Sequence, residues 1–297
     1  MPRIRHAAFA LGLLALAAGG AAAQETLRFP PHIPANLPDA MRPNAPPAQI
    51  PGTLRLPAGT ARGPAVIILH GSGGVDGRGE VYARALQAAG IATLEVDMWR
   101  ARSIGMGEGV ANRPRAIEAL PDAYGALRAL AAHPRVDPQR IGVMGMSYGG
   151  SLSMLAATDL VGRLYATGGP DFRAALPLYP GCWSYEPNGP YARLMSSNWP
   201  RIPLLLMVGD QDDYDADGGA SCRRIVAQGS PAAQARGQAL VIAGATHGWE
   251  TTRTAHYRDP AASRGRGGMV RFEGSRAATA ESTRAAVAFF QARLAPR

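Results

Sequence analysis

"RIGVMGMSYGGSLSMLAATDL", residues 140–160, decides the fold. An apolar run from Ile141 to Met146 ends at a serine set among Gly145, Gly149 and Gly150, and a second largely apolar segment starts at once. Glycine costs backbone entropy in regular structure, so small residues packed around one hydroxyl mark a tight turn. The stretch therefore reads as a buried strand, a sharp turn at Ser147 and a helix that begins directly after it.

The same alternation extends in both directions. Upstream, "PAVIILH" (64–70) is a continuous apolar run, as a strand buried on both faces requires, and "GTLRLP" (52–57) reads as an edge strand. "EVYARALQAAG" (80–90) is helical up to Gly90, and "IATLEVD" (91–97) is the next strand. "PRAIEALPDAYGALRALAAH" (114–133) is helical overall, with Pro121 expected to kink it. Downstream, "RAALPLYPG" (173–181), "IPLLLMVGD" (202–210) and "QALVIAGA" (238–245) are strands. "ATAESTRAAVAFFQARL" (278–294) closes the chain as an amphipathic helix starting near Ala277 or Thr279. Strands alternating with helices predict an α/β fold, a mostly parallel sheet covered on both faces, over residues 51–297. Two long segments interrupt it, 182–200 and 248–276, and the second is long enough to be either functional or mobile.

The N-terminus carries a different message. Arg3 and Arg5 precede an apolar stretch from Ala7 to Ala18 and the small residues Ala21, Ala22 and Ala23. That order predicts a secretory signal over 1–23, cleaved before Gln24, and hence a periplasmic or secreted protein. The apolar run is short for a membrane span, no cysteine follows it to take a lipid, and no later segment reads as membrane-spanning. Residues 24–50 are proline-rich and aperiodic, which predicts an extended lead-in over the surface. The two cysteines, Cys182 and Cys222, both lie in the exported part. In an oxidising compartment they are expected to form one disulfide, worth roughly 3–4 kcal/mol by loop-closure entropy.

The net charge of +9 raises nucleic acid as a partner, but the arginines are scattered, without a basic run or interleaved aromatics. Gly71-Ser72-Gly73-Gly74-Val75-Asp76 has aspartate where a dinucleotide loop needs its third glycine. A P-loop needs a lysine, and the chain has none. Asp213, Asp215, Asp217 and Gly218 open like a calcium loop, but Arg224 stands where the bidentate glutamate belongs. No metal and no cofactor are expected.

Four loops at predicted strand ends carry reactive side chains, and ligands of parallel sheets bind at those ends. Gly145-Met146-Ser147-Tyr148-Gly149 fits G-x-S-x-G, which stands a serine hydroxyl above the sheet with a helix N-terminus beneath it. A hydroxyl needs a general base, and His247 in "GATHGW", just past the last strand, is placed to serve. His70, His133 and His256 lack that combination of strand end and chain order. "GDQDD" supplies an acid between serine and histidine in sequence, Asp212 first and Asp213 second, to hold the imidazole tautomer. "HGSGG" (70–74) offers a backbone donor, Ser72 or next Gly73, to share an oxyanion with the amide of Tyr148.

With "HGSGG", "GMSYGG", "GDQDD", "GATHGW" and "FFQARL", the chain from about residue 50 onward resembles the dienelactone hydrolase family of α/β-hydrolases. The resemblance implies Ser147 as nucleophile, Asp212 as acid, His247 as base, and Ser72 and Tyr148 as oxyanion donors. The family's namesakes carry cysteine at the position of Ser147, so the departure points away from dienelactone and toward general carboxylic esters or lactones. It also implies an arginine after the "LEVD" strand, Arg102 before Arg100, binding a substrate carboxylate. Trp183, Tyr185 and Trp249 lie on loops near the expected site, as an acyl pocket or as packing under the disulfide. An acyltransferase or a peptidase could use the same residues, and a catalytically silent binding protein could keep the fold.

Overall fold

The computed structural model describes residues 22–59, 61–105 and 113–296. Ten strands are present among them: β1 (Ala23–Phe29), β2 (Ile50–Leu56), β3 (Gly63–Leu69), β4 (Ala92–Val96), β5 (Val136–Met146), β6 (Ala174–Leu178), β7 (Leu204–Gly209), β8 (Gly237–Ile242), β9 (Ala255–Asp259) and β10 (Gly268–Phe272). The helices are α1 (Arg78–Ala88), α2 (Leu120–Ala132), α3 (Tyr148–Ala156), α4 (Asp159–Tyr165), α5 (Ala220–Val226), the single turns α6 (Pro231–Gln234) and α7 (Ala262–Gly265), and α8 (Arg276–Arg293).

The first eight strands form one sheet in the order β1-β2-β4-β3-β5-β6-β7-β8. From β4 to β8 all neighbours are parallel, while β2 runs antiparallel to both β1 and β4. β3, β6, β7 and the part of β5 from Ile141 onward are largely apolar because both faces are covered: Ile67 and Val143 pack into one cluster, and Ile68 and Met144 into another. This is the α/β-hydrolase architecture, with strand order reversing between β3 and β5. A crevice opens at such a reversal, and it lies between the ends of the two strands that carry "HGSGG" and Ser147.

Three expectations are corrected. The lead-in is not merely draped: β1 pairs with β2 from Ala23↔Leu56 to Phe29↔Ile50, so "GTLRLP" is the second strand of the sheet. Phe29, Leu37 and Met41 of the lead-in are buried in the core, and the chain crosses α2 at Gly125, where a Cβ would stand 2.3 Å from the Pro30 carbonyl oxygen. Pro121 does not kink a helix. A 3-10 turn (Ala116–Ala119) comes first, and Pro121 occupies the first turn of α2, where its missing N–H costs nothing. The closing helix starts earlier than expected, because the Ser275 side chain accepts from the Ala278 amide and caps it.

Segment 248–276 is ordered structure. β9 and β10 form a two-stranded antiparallel ribbon from Gly268↔Asp259 to Phe272↔Ala255. Asp213 fastens it, accepting from the Arg271 amide at 2.8 Å and from its guanidinium at 3.0 Å, while the Asp213 carbonyl accepts from Ser263. Cys182 and Cys222 are joined as a disulfide with Cα atoms 5.1 Å apart. Among the described residues no helix is long and apolar enough to cross a membrane. The expected export signal lies outside them up to position 21.

Candidate active site

At the end of β5, Ser147 takes φ 52° and ψ −108°, a conformation that L-residues avoid and that aims its side chain away from the sheet. The turn is so tight that its glycines are obligatory. A Cβ on Gly145 would lie 2.3 Å from the Gly149 carbonyl, and one on Gly149 would lie 2.1 Å from the Leu69 carbonyl oxygen. Gly149→Ala is therefore expected to cost about 3 kcal/mol or more and lower Tm by about 6–12 °C, read by thermal unfolding. An unchanged Tm would show the elbow to be looser than its contacts imply.

The loops that carry Asp212 and His247 converge on this serine. The His247 Nε2 lies 2.9 Å from Ser147 Oγ, and its Nδ1 lies 2.9 Å from Asp212 Oδ2. Asp212 and His247 are each 3 % exposed, so their pairing is shielded from water. With Nδ1–H donated to the carboxylate, Nε2 keeps its lone pair for the serine proton, which is the tautomer a base needs. The Asp212 carboxylate also accepts from the Tyr214 amide at 2.9 Å. Asp213 is committed to Arg271, which settles the acid as Asp212. The imidazole is boxed by Tyr214 at 4.4 Å, Tyr179 at 4.7 Å and Phe272 at 6.2 Å between ring centres. Two of those walls, Tyr214 and Phe272, come from the acid loop and the ribbon it holds.

This is the Ser-His-Asp triad of a serine hydrolase, in the chain order serine, aspartate, histidine of α/β-hydrolases. The sequence model of the dienelactone hydrolase family matches residues 50–293. The chain belongs to that family. No curated protein matches it. Solved structures similar to it include Est1E from Butyrivibrio proteoclasticus, 17 % identical, covering 84 % of this chain and 96 % of that one at a TM-score of 0.55. A dienelactone hydrolase from Anabaena variabilis is 17 % identical over 92 % of this chain and 98 % of that one, at 0.57. Esterase 2 of Thermogutta terrifontis, phosphorylated by paraoxon, is 20 % identical over 84 % and 91 %, at 0.56. At such identities the likeness is one of fold.

In this dienelactone hydrolase family member, the "HGSGG" loop is held from below. His70 is buried; its Nδ1 donates to the Gly71 carbonyl at 2.7 Å, and its Nε2 accepts from the Met98 amide at 3.1 Å. The Trp99 indole donates to the Ser72 carbonyl at 2.9 Å, and the Gly149 amide is spent on the His70 carbonyl. His70 is thus a neutral strut, and burial pushes its pKa down to about 4. A folded pKa below the unfolded 6.5 means that only the unfolded chain takes the proton between those values. The strut's stability contribution is then full above about pH 6.5 and falls by about 3 kcal/mol as pH drops to about 4. Buried Asp215, raised to about 7 by burial and by Asp212, has the opposite slope, so the effect is read by difference. Denaturant unfolding of the parent and of His70→Gln should show a gap that narrows as pH falls from 6.5 to 4. A pH-independent gap would contradict it.

The other expected site residues have differing surroundings. Arg102 is already paired: it donates to the Met98 carbonyl and grips buried Asp122 with two bonds, at 2.6 and 3.1 Å. Removing it would strand a carboxylate in the core. Arg100 is exposed and lines a cavity of about 360 Å³ with Gly74, Val75, Asp97 and Trp99. Trp249 is not a pocket wall for an acyl group: it is fully buried, edge-on to Tyr179 and hydrogen-bonded to Ser282. Tyr185 is likewise buried, its hydroxyl on the Ser151 carbonyl. Trp183 is half-buried, lies against Gly265 and lines a cavity of about 320 Å³ with Arg264 and Arg266.

The acids that resembled a calcium loop serve three separate structural ends. Asp213 holds the ribbon, Asp215 accepts from the Cys182 and Trp183 amides, and Asp217 binds Ser221, Arg224 and Arg264. Among the described residues, Cys182, Asp215 and Cys222 are the one grouping close enough for a metal ion, and their sulfurs are bonded to each other. Sequence reasoning passed over Tyr179, Tyr214, Phe272 and Glu250. Only Glu250 left a signal, as an acid three residues past the base and beside a buried tryptophan.

Proposed function

We propose that this protein is an exported hydrolase of carboxylic esters or lactones that works through an acyl-enzyme. The observation that carries the reading is the 2.9 Å contact between Ser147 Oγ and the Asp212-held His247 imidazole. Ser147 Oγ attacks the carbonyl carbon as His247 Nε2 takes its proton, and the imidazolium so formed is stabilised by Asp212. The tetrahedral oxyanion is met by the amides of Ser72 and Tyr148. Tyr148 opens α3, where an amide has no partner within the helix, and the Ser72 loop is braced by His70 and Trp99. Collapse expels the alcohol, which takes the proton back from His247; water, deprotonated by the same histidine, then releases the acid and restores the serine.

Of the similar structures described above, one is named a dienelactone hydrolase and another an esterase phosphorylated by paraoxon, in line with a reactive serine here. The serine at position 147 favours ordinary esters over the namesake substrate. Export rests on the basic, apolar and small-residue order of residues 1–23, and the Cys182–Cys222 disulfide suits an oxidising compartment.

A panel of p-nitrophenyl esters and simple lactones, varied in acyl length and charge, tests the chemistry. Turnover lost in Ser147→Ala supports it; no turnover by folded parent, or acyl transfer to an added alcohol in preference to water, counts against it. Cell fractionation of the full chain tests export, with a mature N-terminus at Gln24 expected and an intact cytoplasmic chain as the contrary result.

A further inference from the structure

The residue that follows β6 has a conformation its side chain disfavours. Tyr179 sits at φ 37°, in the left-handed region that a bulky L-residue enters only when its surroundings hold it there. Its neighbour Leu178 accepts the Ser147 amide at 3.0 Å, so the backbone here anchors the nucleophile. Its ring stands edge-on to the His247 imidazole at 4.7 Å, so the side chain braces the base. The Leu178–Tyr179 turn thus touches both halves of the triad, the nucleophile through the Leu178 carbonyl and the base through the Tyr179 ring, without being part of it.

What holds Tyr179 in place is a buried carboxylate. Its hydroxyl donates to Glu250 Oε2 at 2.6 Å, and Tyr82 of α1 donates to Glu250 Oε1 at 2.5 Å. Ser282 of α8 bonds the Tyr82 hydroxyl at 2.9 Å and receives the Trp249 indole N–H at 3.0 Å. Arg78 reaches the same Tyr179 hydroxyl at 3.5 Å and is paired with Asp76 and stacked over Phe272, which also faces His247. Glu250 is three residues beyond His247 on the same loop. Burying a carboxylate is costly, and here burial pushes its pKa up against two phenol donors and a nearby guanidinium. Hydrophobic residues could have packed this loop; the acid ties it at one point to α1, β6 and, through Ser282, α8.

We infer that Tyr179 and Glu250 are positioning residues for the reaction, Glu250 anchoring the histidine loop and Tyr179 acting as a strut that fixes the imidazole against the serine. They touch no reacting atom. Their work is to keep Nε2 within reach of Oγ, and misplacement of a reacting group by about 1 Å can cost on the order of 100-fold. The inference rests on the ester-hydrolase reading.

Tyr179→Phe keeps the ring and removes the bond to Glu250; Glu250→Gln keeps the shape but turns one of the two acceptor oxygens into an N–H donor, so only one phenol keeps its acceptor. Each is assayed as full chain on a short p-nitrophenyl ester, with active sites counted by fluorophosphonate titration. A failure of the hydrolase reading shows in the parent, which would neither turn over nor titrate. If the parent is active, kcat per titrated site is expected to fall about 10- to 100-fold in both variants with KM within about twofold. The double variant should be no worse than the weaker single, because the two act as one unit. A purely structural role would lower Tm and the titrated fraction but leave kcat per site within about twofold; that result in either folded variant overturns the inference. Should one variant fail to fold, the other decides.

Discussion

Ser147→Ala is expected to lower kcat by about 10⁶-fold on any ester the parent hydrolyses, and His247→Ala by nearly as much. The hydroxyl is inert without the imidazole 2.9 Å away, and the imidazole has nothing to deprotonate without the hydroxyl. The double variant should therefore be about as slow as either single, not slower by the product of the two. Steady-state kinetics with an active-site count checks all three. A His247→Ala variant within about tenfold of the parent would mean that another base, such as His70, reaches the serine. His70 is poorly placed to do so, since both of its ring nitrogens are already engaged.

The second large effect separates two adjacent carboxylates. Asp212→Asn should cost about 10⁴-fold in kcat with little change in KM, because the amide favours the wrong imidazole tautomer. Asp213→Asn should leave kcat nearly intact and loosen the ribbon instead, because Asp213 holds Arg271 and not the histidine. Limited proteolysis around residues 255–272 reads that loosening. Reversal of the two phenotypes would move the triad acid one residue along. In sequence only the spacing from Gly209 ranks Asp212 ahead of its neighbour, since both acids follow the same strand. Geometry separates them, since the Asp212 carboxylate turns inward onto its own loop amide at Tyr214 while Asp213 points to the ribbon.

The nucleophile, the base and the strands under them were legible because each leaves a local mark. An apolar run stopping at G-x-S-x-G allows one backbone, and the glycines are compelled by contacts under 3 Å. A histidine just past the last strand of a parallel sheet has one place to go. Other features were illegible because their cause is distant in the chain. β1 exists only because β2 offers it an open edge, and nothing within residues 23–29 distinguishes a strand from a lead-in. Arg102 looked available until Asp122, twenty residues on and buried in α2, proved to be its partner. Trp249 looked like a pocket wall because it neighbours the base, yet a loop that presents His247 upward must bury something beneath it. Glu250 and Tyr179 meet across the sheet from segments 71 residues apart, a pairing with no sequence period.

The Ser147 hydroxyl, and no other group, is expected to become covalently attached to substrate. Mass spectrometry of the full chain after brief exposure to a fluorophosphonate, followed by peptide mapping, measures this directly. One adduct per chain on the peptide containing Ser147, absent from Ser147→Ala and strongly slowed in His247→Ala, is the predicted result. Folded protein that takes no adduct, or takes it on another residue, contradicts the account.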